Sequence, residues 1–281
     1  MLPVQFPYHE CSTFQTRLAE DRNGASAGTQ LSLVGNDPQC LAVIMPAFNE
    51  ERTIGIVIER VLKNGIVTQL IIVNDGSTDQ TDKAIELWKQ RDRRVRVCRH
   101  GSNLGKGACV RTGLLVVMAP IVIIQDADLE YDPADYAKVI APILHGETNV
   151  AFGSRFLQRR ARSTTIAHRL ANQFLTYLAN FTTGLELTDM ETCYKAFRTD
   201  VLRRIVIEED RFGLEPELTI KAARLGFRIC EVPISYVPRS RREGKKIGWR
   251  DGCDAVRCIL RYSKRSEVCR EMACKETLGS P

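Results

Sequence analysis

Val122-Ile123-Ile124-Gln125-Asp126-Ala127-Asp128 is the stretch that decides the reading of this chain, because an apolar run delivers two carboxylates, one residue apart, at its C-terminal end. In open α/β sheets that edge is where ligands bind. A pair of hard oxygen ligands suits Mg²⁺ or Mn²⁺ with a diphosphate, since such ions take one or two protein carboxylates and complete their shell with phosphate oxygens and water. The first implication is a metal-dependent enzyme acting on a nucleotide. Asp-x-Asp alone is short and marks a solvated turn more often than a metal site, so its neighbours have to decide.

Upstream, short apolar runs alternate with amphipathic stretches. Leu41 to Met45, Leu70 to Val73, Val95 to Cys98 and Ile121 to Gln125 read as strands. Glu50 to Lys63, Asp79 to Gln90 and Gly105 to Met118 read as the helices between them, the first with Ile54, Ile58, Val61 and Leu62 on one face. Strands alternating with helices predict a mostly parallel sheet. Pro46 to Glu50, Asp75 to Asp79 and Asp126 to Glu130 then fall along one edge of it. Downstream, Pro133 to Leu144, Thr164 to Phe181, Glu215 to Leu225 and Gly248 to Lys264 read as helices, with strands at Asn149 to Gly153 and Arg228 to Val232. The resulting plan is a flexible tail over 1–38, one α/β domain over 39–237, and a basic loop with an amphipathic C-terminal helix over 238–281.

Composition limits the function classes. With 281 residues, 44 % hydrophobic and 26 % charged, the chain resembles an ordinary soluble globular protein. Its longest apolar run, Leu114 to Ile124 with Pro120 inside it, is far short of the ~20 residues that span a bilayer. No export signal is recognisable at the start. The ten cysteines form no C-x-x-C pair, so reduced thiols in a cytoplasmic setting are expected and structural zinc is not. Net charge is only +6, but Arg239, Arg241, Arg242, Lys245, Lys246 and Arg250 cluster against the single acid Glu243. Such a cluster points to a polyanion.

Each motif has a bland alternative. Asn74-Asp75-Gly76-Ser77-Thr78-Asp79 can be a turn and helix cap, or Asp75 can accept from the ring N–H of a uracil or guanine. Gly101-Ser-Asn-Leu-Gly105-Lys106-Gly107 is not a P-loop, which needs four residues before its Gly-Lys and a Ser or Thr after it. It can still bring phosphate to a helix N-terminus with Lys106 as a mobile cation, or be a tight turn. Ser154-Arg155, Asp189 to Lys195 and Phe212 to Glu217 read as polar insertions between core elements, and Glu215 and Glu217 also suit a helix N-terminus.

In order, Val43-Ile-Met-Pro-Ala-Phe-Asn49-Glu50, Val73-Asn-Asp75-Gly-Ser-Thr-Asp79, Asn103-Leu-Gly105-Lys106-Gly107 and Asp126-Ala-Asp128 resemble the family 2 inverting glycosyltransferases. Asp189 to Phe197, Glu215 to Leu218 and Glu231 to Tyr236 extend the resemblance toward the dolichyl- or polyprenyl-phosphate sugar synthases. The resemblance covers about residues 40 to 260 and implies a GT-A fold, a Rossmann-like, mostly parallel central sheet flanked by helices, as a single domain with a C-terminal helical extension. It implies that Pro46, Ala47, Asn49, Glu50 and Asp75 hold the base and ribose. Lys106, Asp126 and Ala127 are then expected on the nucleotide or sugar, and Asp128 on a Mg²⁺ or Mn²⁺ ion. Glu130 stands where the mannosyl-phosphate synthases often have a metal-ligating Gln. Arg155, Arg239, Lys245 and Lys246 are expected on donor or acceptor phosphates.

The implied partners are a nucleotide-sugar donor, with a UDP- or GDP-sugar equally compatible, and a polyprenyl phosphate. A phosphate monoester has a second pKa of ~6 and needs no general base. A hydroxyl acceptor would need one, and Asp189, Glu215 and Glu217 are the candidates. The basic segment and final helix predict peripheral contact with an anionic membrane surface, on its cytoplasmic face, with a membrane-protein partner or homo-oligomer compatible with this. The rivals are a soluble transferase with a hydroxyl acceptor, a basic nucleic-acid-binding module and an inactive scaffold. The ordered acidic motifs and intact Asp126 and Asp128 argue against the last two, so no nucleic-acid partner is expected.

Overall fold

The computed structural model of the protein describes residues 40–157, 166–239 and 249–263. The expected 1–38 tail, Lys245 and Lys246 lie outside the described residues. Within them the chain forms a seven-stranded sheet of β1 (Leu41–Ala47), β2 (Val67–Asn74), β3 (Val95–Arg99), β4 (Ile121–Ile124), β5 (Val150–Ser154), β6 (Lys195–Arg198) and β7 (Ile229–Pro233), in the order β3-β2-β1-β4-β6-β5-β7. Strands β1 to β4 pair in parallel and β5 pairs in parallel with β7, whereas β6 runs antiparallel to β4 and β5. The sheet is mostly parallel, as expected, around one reversed strand. Leu41 to Met45 and Ile121 to Ile124 are buried throughout, which is why both read as unbroken apolar runs rather than alternating ones.

The helices are α1 (Ile54–Lys63), α2 (Thr81–Arg91), α3 (Lys106–Leu114), α4 (Tyr136–Leu144), α5 (Ile166–Thr183), α6 (Thr199–Leu202), α7 (Leu214–Arg224) and α8 (Trp249–Ser263). On α1 the buried face is Ile54, Val57, Ile58 and Val61, the i, i+3, i+4, i+7 stripe of a surface helix. Helix α3 stops at Leu114 instead of Met118: the side chain of Gln69 takes the backbone N–H groups of Met118 and Ala119 at 2.6 Å and 3.0 Å.

Two elements escaped the sequence reading. Strand β6 and the short α6 begin at Lys195, the last residue of the expected Asp189–Lys195 polar insertion, and left no signal because β6 opens on a lysine. Lys195 is fully buried, donates to Met190 O at 2.7 Å and Thr219 Oγ1 at 3.1 Å, and lies 3.6 Å over the Phe152 ring. Burial pushes its ammonium down to about 8, although Glu215 and Glu191 resist this.

The C-terminal helix also differs from expectation. Ala255, Cys258, Ile259 and Tyr262 of α8 form a second core with Leu175 and Ala179 of α5 and Ile220 of α7. Its apolar face is therefore covered by protein and is not available to lie in a lipid interface. The exposed apolar stripe is instead on α5, where Leu170, Phe174, Tyr177 and Phe181 recur at helical spacing.

Candidate active site

The carboxyl ends of β1 and β2 are tied together before any ligand is considered. Asn49 sits at φ 53, a left-handed conformation that asparagine tolerates. Its side chain accepts from Thr78 N at 2.8 Å, and its own N–H donates to Ser77 Oγ at 3.1 Å. Glu50 N donates to Thr81 Oγ1 at 2.8 Å, and the single Thr53 hydroxyl proton is within reach of both Glu50 Oε2 and Ala127 O, at 2.8 Å and 2.9 Å from Oγ1. Three turns distant in sequence thus share one bonded rim. Gly76, at φ +69, has no room for a Cβ, which would stand 2.6 Å from the Ser102 backbone.

Asp75 is the hub of that rim. Its Oδ1 accepts from Leu104 N and meets His100 Nδ1 at 2.6 Å, and its Oδ2 accepts from Asn103 Nδ2 and Gly105 N. Four partners use the four acceptor positions of the carboxylate, so a nucleobase reaches Asp75 only by exchanging one of them. Among the described residues, Asp75, His100 and Cys109 are the group of three metal-capable side chains whose ligand atoms lie within 4.8 Å of one another. His100 Nε2 is also engaged, with Thr112 Oγ1 at 2.9 Å.

The glycine loop does not present an open phosphate nest. In the first turn of α3 the N–H groups of Gly107 and Ala108 already donate to Asp210 O, and a Cβ on Gly107 would collide with the Glu209 carbonyl. Nor is Lys106 a mobile cation. Its Nζ lies 2.7 Å from Asp126 Oδ1 and 2.7 Å from Glu215 Oε1. Burial works to lower its pKa, but the attraction of Asp126 first among its neighbours overrides this and holds it well above the usual lysine range.

Gln125 directly follows the apolar strand β4 and is fully buried, accepting from Tyr136 and Tyr194 hydroxyls at 2.6 Å and 2.7 Å while donating to Asp126 O at 2.9 Å. It braces the turn that carries the two aspartates. Asp128 is only 6 % exposed. Burial, followed by the carboxylates of Asp126 and Glu130, raises its pKa to about 7, against the pull of Arg239. Arg239 Nη2 lies 2.5 Å from Asp128 Oδ2, and its Nη1 lies 3.3 Å from Glu50 Oε2. Glu130 Oε1 accepts from Arg239 N at 2.7 Å, and its Oε2 from Tyr236 Oη at 2.9 Å.

The donor set of Glu50, Asp128 and Glu130 is all oxygen, the chemistry a Mg²⁺ or Mn²⁺ ion requires. Arg239 Nε is buried there without a hydrogen-bond partner, which shows that the guanidinium fills the space imperfectly. These residues offer the oxygen donors a divalent ion would take, but among the described residues their ligand atoms do not form a group lying within 4.8 Å of one another.

The remaining candidate residues are paired. Asp189 is fully buried and bidentate to Arg155, with Nε and Nη2 each at 2.7 Å, and Glu231 accepts from the Thr188 and Asp189 N–H groups. Arg155 is therefore committed to Asp189 rather than held open toward a phosphate. Glu217, also fully buried, accepts from Glu208 N, Glu209 N and Lys221 Nζ. Sequence reading missed His100, Gln125, Glu191 and Lys195. Gln125 alone left a signal, a polar residue directly after an apolar strand. Oε1 of Glu191 is buried without a partner, and burial, with Glu215 next, raises its pKa to about 8.

A mostly parallel sheet with three polar turns on one carboxyl edge and carboxylates after the fourth strand is a GT-A arrangement. The chain belongs to the glycosyl transferase family 2, whose model matches residues 42–206. It is 31 % identical over 74 % of its length to the uncharacterized protein MJ1222 of Methanocaldococcus jannaschii, covering 85 % of that protein. It is 30 % identical over 71 % of its length to a dolichyl-phosphate hexose transferase of Haloferax volcanii, covering 84 % of that protein. In fold it is similar to glucosyl-3-phosphoglycerate synthase from Mycobacterium tuberculosis in complex with UDP, with a TM-score of 0.64 at 22 % identity and 81 % coverage of each chain. The same synthase has been solved with Mn²⁺, UDP and glucosyl-3-phosphoglycerate, with a TM-score of 0.61.

Proposed function

We propose that this glycosyltransferase moves a sugar, with inversion, from a UDP- or GDP-sugar to a polyprenyl phosphate in a reaction that depends on Mg²⁺ or Mn²⁺. The observation that carries the acceptor assignment is the pairing of all three carboxylates nominated as general bases: Asp189 with Arg155, Glu215 with Lys106, and Glu217 with Lys221. A largely dianionic phosphate monoester needs no base. The dolichyl-phosphate hexose transferase among its relatives supports the same acceptor class.

In this reading Pro46, Ala47, Asn49 and Glu50 form the rim over the base and ribose, with Asp75 exchanging one hydrogen bond for the base edge. A divalent ion, held by Asp128 with Glu50 or Glu130, would stabilise the charge developing on the departing nucleoside diphosphate. Asp126, held by Lys106, faces the sugar. Arg239 lies at the same edge for a phosphate, with Lys245 and Lys246 as further acceptor contacts. Arg155, through Asp189, orders the loop beside them.

No described helix is long and apolar enough to cross a membrane. The exposed stripe on α5 and the basic segment after β7 support peripheral docking on an anionic surface, where the lipid acceptor resides. A second reading rests on Glu191: its unpartnered oxygen and raised pKa suit a general base for a hydroxyl acceptor.

The test is transfer from UDP-glucose, UDP-N-acetylglucosamine and GDP-mannose with Mn²⁺ to a short polyprenyl phosphate, in wild type and Asp128→Ala. An acid-labile lipid-linked sugar, lost in Asp128→Ala while its thermal unfolding stays intact, is expected. Retained activity in that variant removes the metal assignment, and a product stable to mild acid moves the assignment to the hydroxyl reading and Glu191.

A further inference from the structure

The segment after β7 places a guanidinium in the acidic edge. Around Arg239, Nη2 is 2.5 Å from Asp128 Oδ2, Nη1 is 3.4 Å and 3.3 Å from Glu50 Oε1 and Oε2, and Nε is 3.8 Å from Glu130 Oε1. Only the Asp128 contact is short, and Nε is buried without a hydrogen bond. Three carboxylates therefore share one diffuse cation that fits them loosely. Small, hard divalent ions prefer such oxygens at about 2.0–2.2 Å, and a second cation a few ångströms from the guanidinium would repel it.

Glu130 holds the other half of the arrangement. Its two oxygens accept from Arg239 N and Tyr236 Oη, and its backbone oxygen accepts from Val237 N at 2.9 Å. Two donors on two oxygens suit a carboxylate. The backbone of Arg239 is thus tethered independently of its side chain.

We propose that Arg239 is a resident counter-cation, which a divalent ion displaces from Glu50 and Asp128, and that Glu130 is the positioning residue that keeps the displaced arginine beside the site. This rests on the metal-dependent reading above. Once displaced, the planar fork is available to bind phosphate oxygens two at a time. Metal binding thereby converts an internal ion pair into a phosphate-binding group, and metal and arginine compete for the same carboxylates.

Mn²⁺ binding read from the free-ion EPR signal, without nucleotide so that no phosphate contact of the freed arginine contributes, tests the exchange without activity. Removing the resident cation in Arg239→Gln is expected to tighten Mn²⁺ binding about tenfold or more, and Arg239→Lys, which keeps a cation but loses the fork, to give an intermediate affinity. Millimolar guanidinium should weaken Mn²⁺ binding in Arg239→Gln and leave wild type nearly unchanged. Thermal unfolding of each variant separates misfolding from altered affinity, and Arg239→Lys keeps the comparison open if Arg239→Gln does not fold. Unchanged or weaker affinity in folded variants overturns the exchange and leaves the metal reading standing. Absence of Mn²⁺ binding in wild type and both variants overturns the metal reading and the exchange with it.

Discussion

Replacing Lys106 by Met tests whether the site is held together by charge. Lys106 is 14 % exposed in its side chain and bridges Asp126 and Glu215, whose side chains are 28 % and 9 % exposed. Methionine keeps most of the volume but leaves two carboxylates without their cation. Breaking a buried pair costs about 3–5 kcal/mol. Solvent screens the more exposed Asp126, so the lower end, about 3 kcal/mol, applies here. For a folded region of this size that corresponds to a melting temperature lower by about 6–12 °C. Urea unfolding with linear extrapolation measures it. Because much of the loss comes from the stranded charge on Glu215, Lys106→Met/Glu215→Gln should recover about 1–2 kcal/mol relative to Lys106→Met. A Lys106→Met loss below about 1 kcal/mol, or a double variant no more stable than the single, would refute the reasoning.

Gln125→Leu should cost about 2–4 kcal/mol in urea unfolding, since it leaves the Tyr136 and Tyr194 hydroxyls without an acceptor; a neutral result would show that those hydroxyls find other partners. Glu191 keeps its proton in the folded state up to about pH 8, whereas the unfolded group releases it near 4.5. Its raised folded pKa means that stability falls as pH rises between those values, by up to about 1.4 kcal/mol per unit. Glu191→Gln should flatten that slope, as unfolding at pH 5, 6.5 and 8 would register, and parallel slopes would contradict it. Flotation with anionic liposomes should weaken when Arg241, Arg242, Lys245 and Lys246 are neutralised, and weaken again when Phe174 and Phe181 become Ser; flotation indifferent to both sets removes the peripheral-docking proposal.

The order of motifs determined the fold class, because three of the four follow β1, β2 and β4, whose ends toward the motifs are unbroken buried apolar runs, and buried parallel strands leave that local signature, whereas β3 is a half-exposed Val-Arg-Val-Cys-Arg. Leu41 to Met45 and Val122 to Ile124 announce themselves for this reason, and the Asn49, Asp75 and Asp126 turns follow them to one edge. Strand β6 left no such signature, since its first residue is a lysine that only the Met190 carbonyl, Thr219 hydroxyl and Phe152 ring make tolerable in the core.

The residue types of the site were therefore legible in one dimension, while their roles depended on partners far away in the chain. Lys106 looked like a mobile phosphate cation until Asp126 and Glu215 closed on it. Arg155 looked open to a phosphate until Asp189 took its fork. The identity of a charged residue states what it can bind, and local patterning states where its backbone lies. Which partner it holds is set by contacts between segments such as 126–130 and 236–239, about a hundred residues apart, and that choice belongs to the tertiary structure alone.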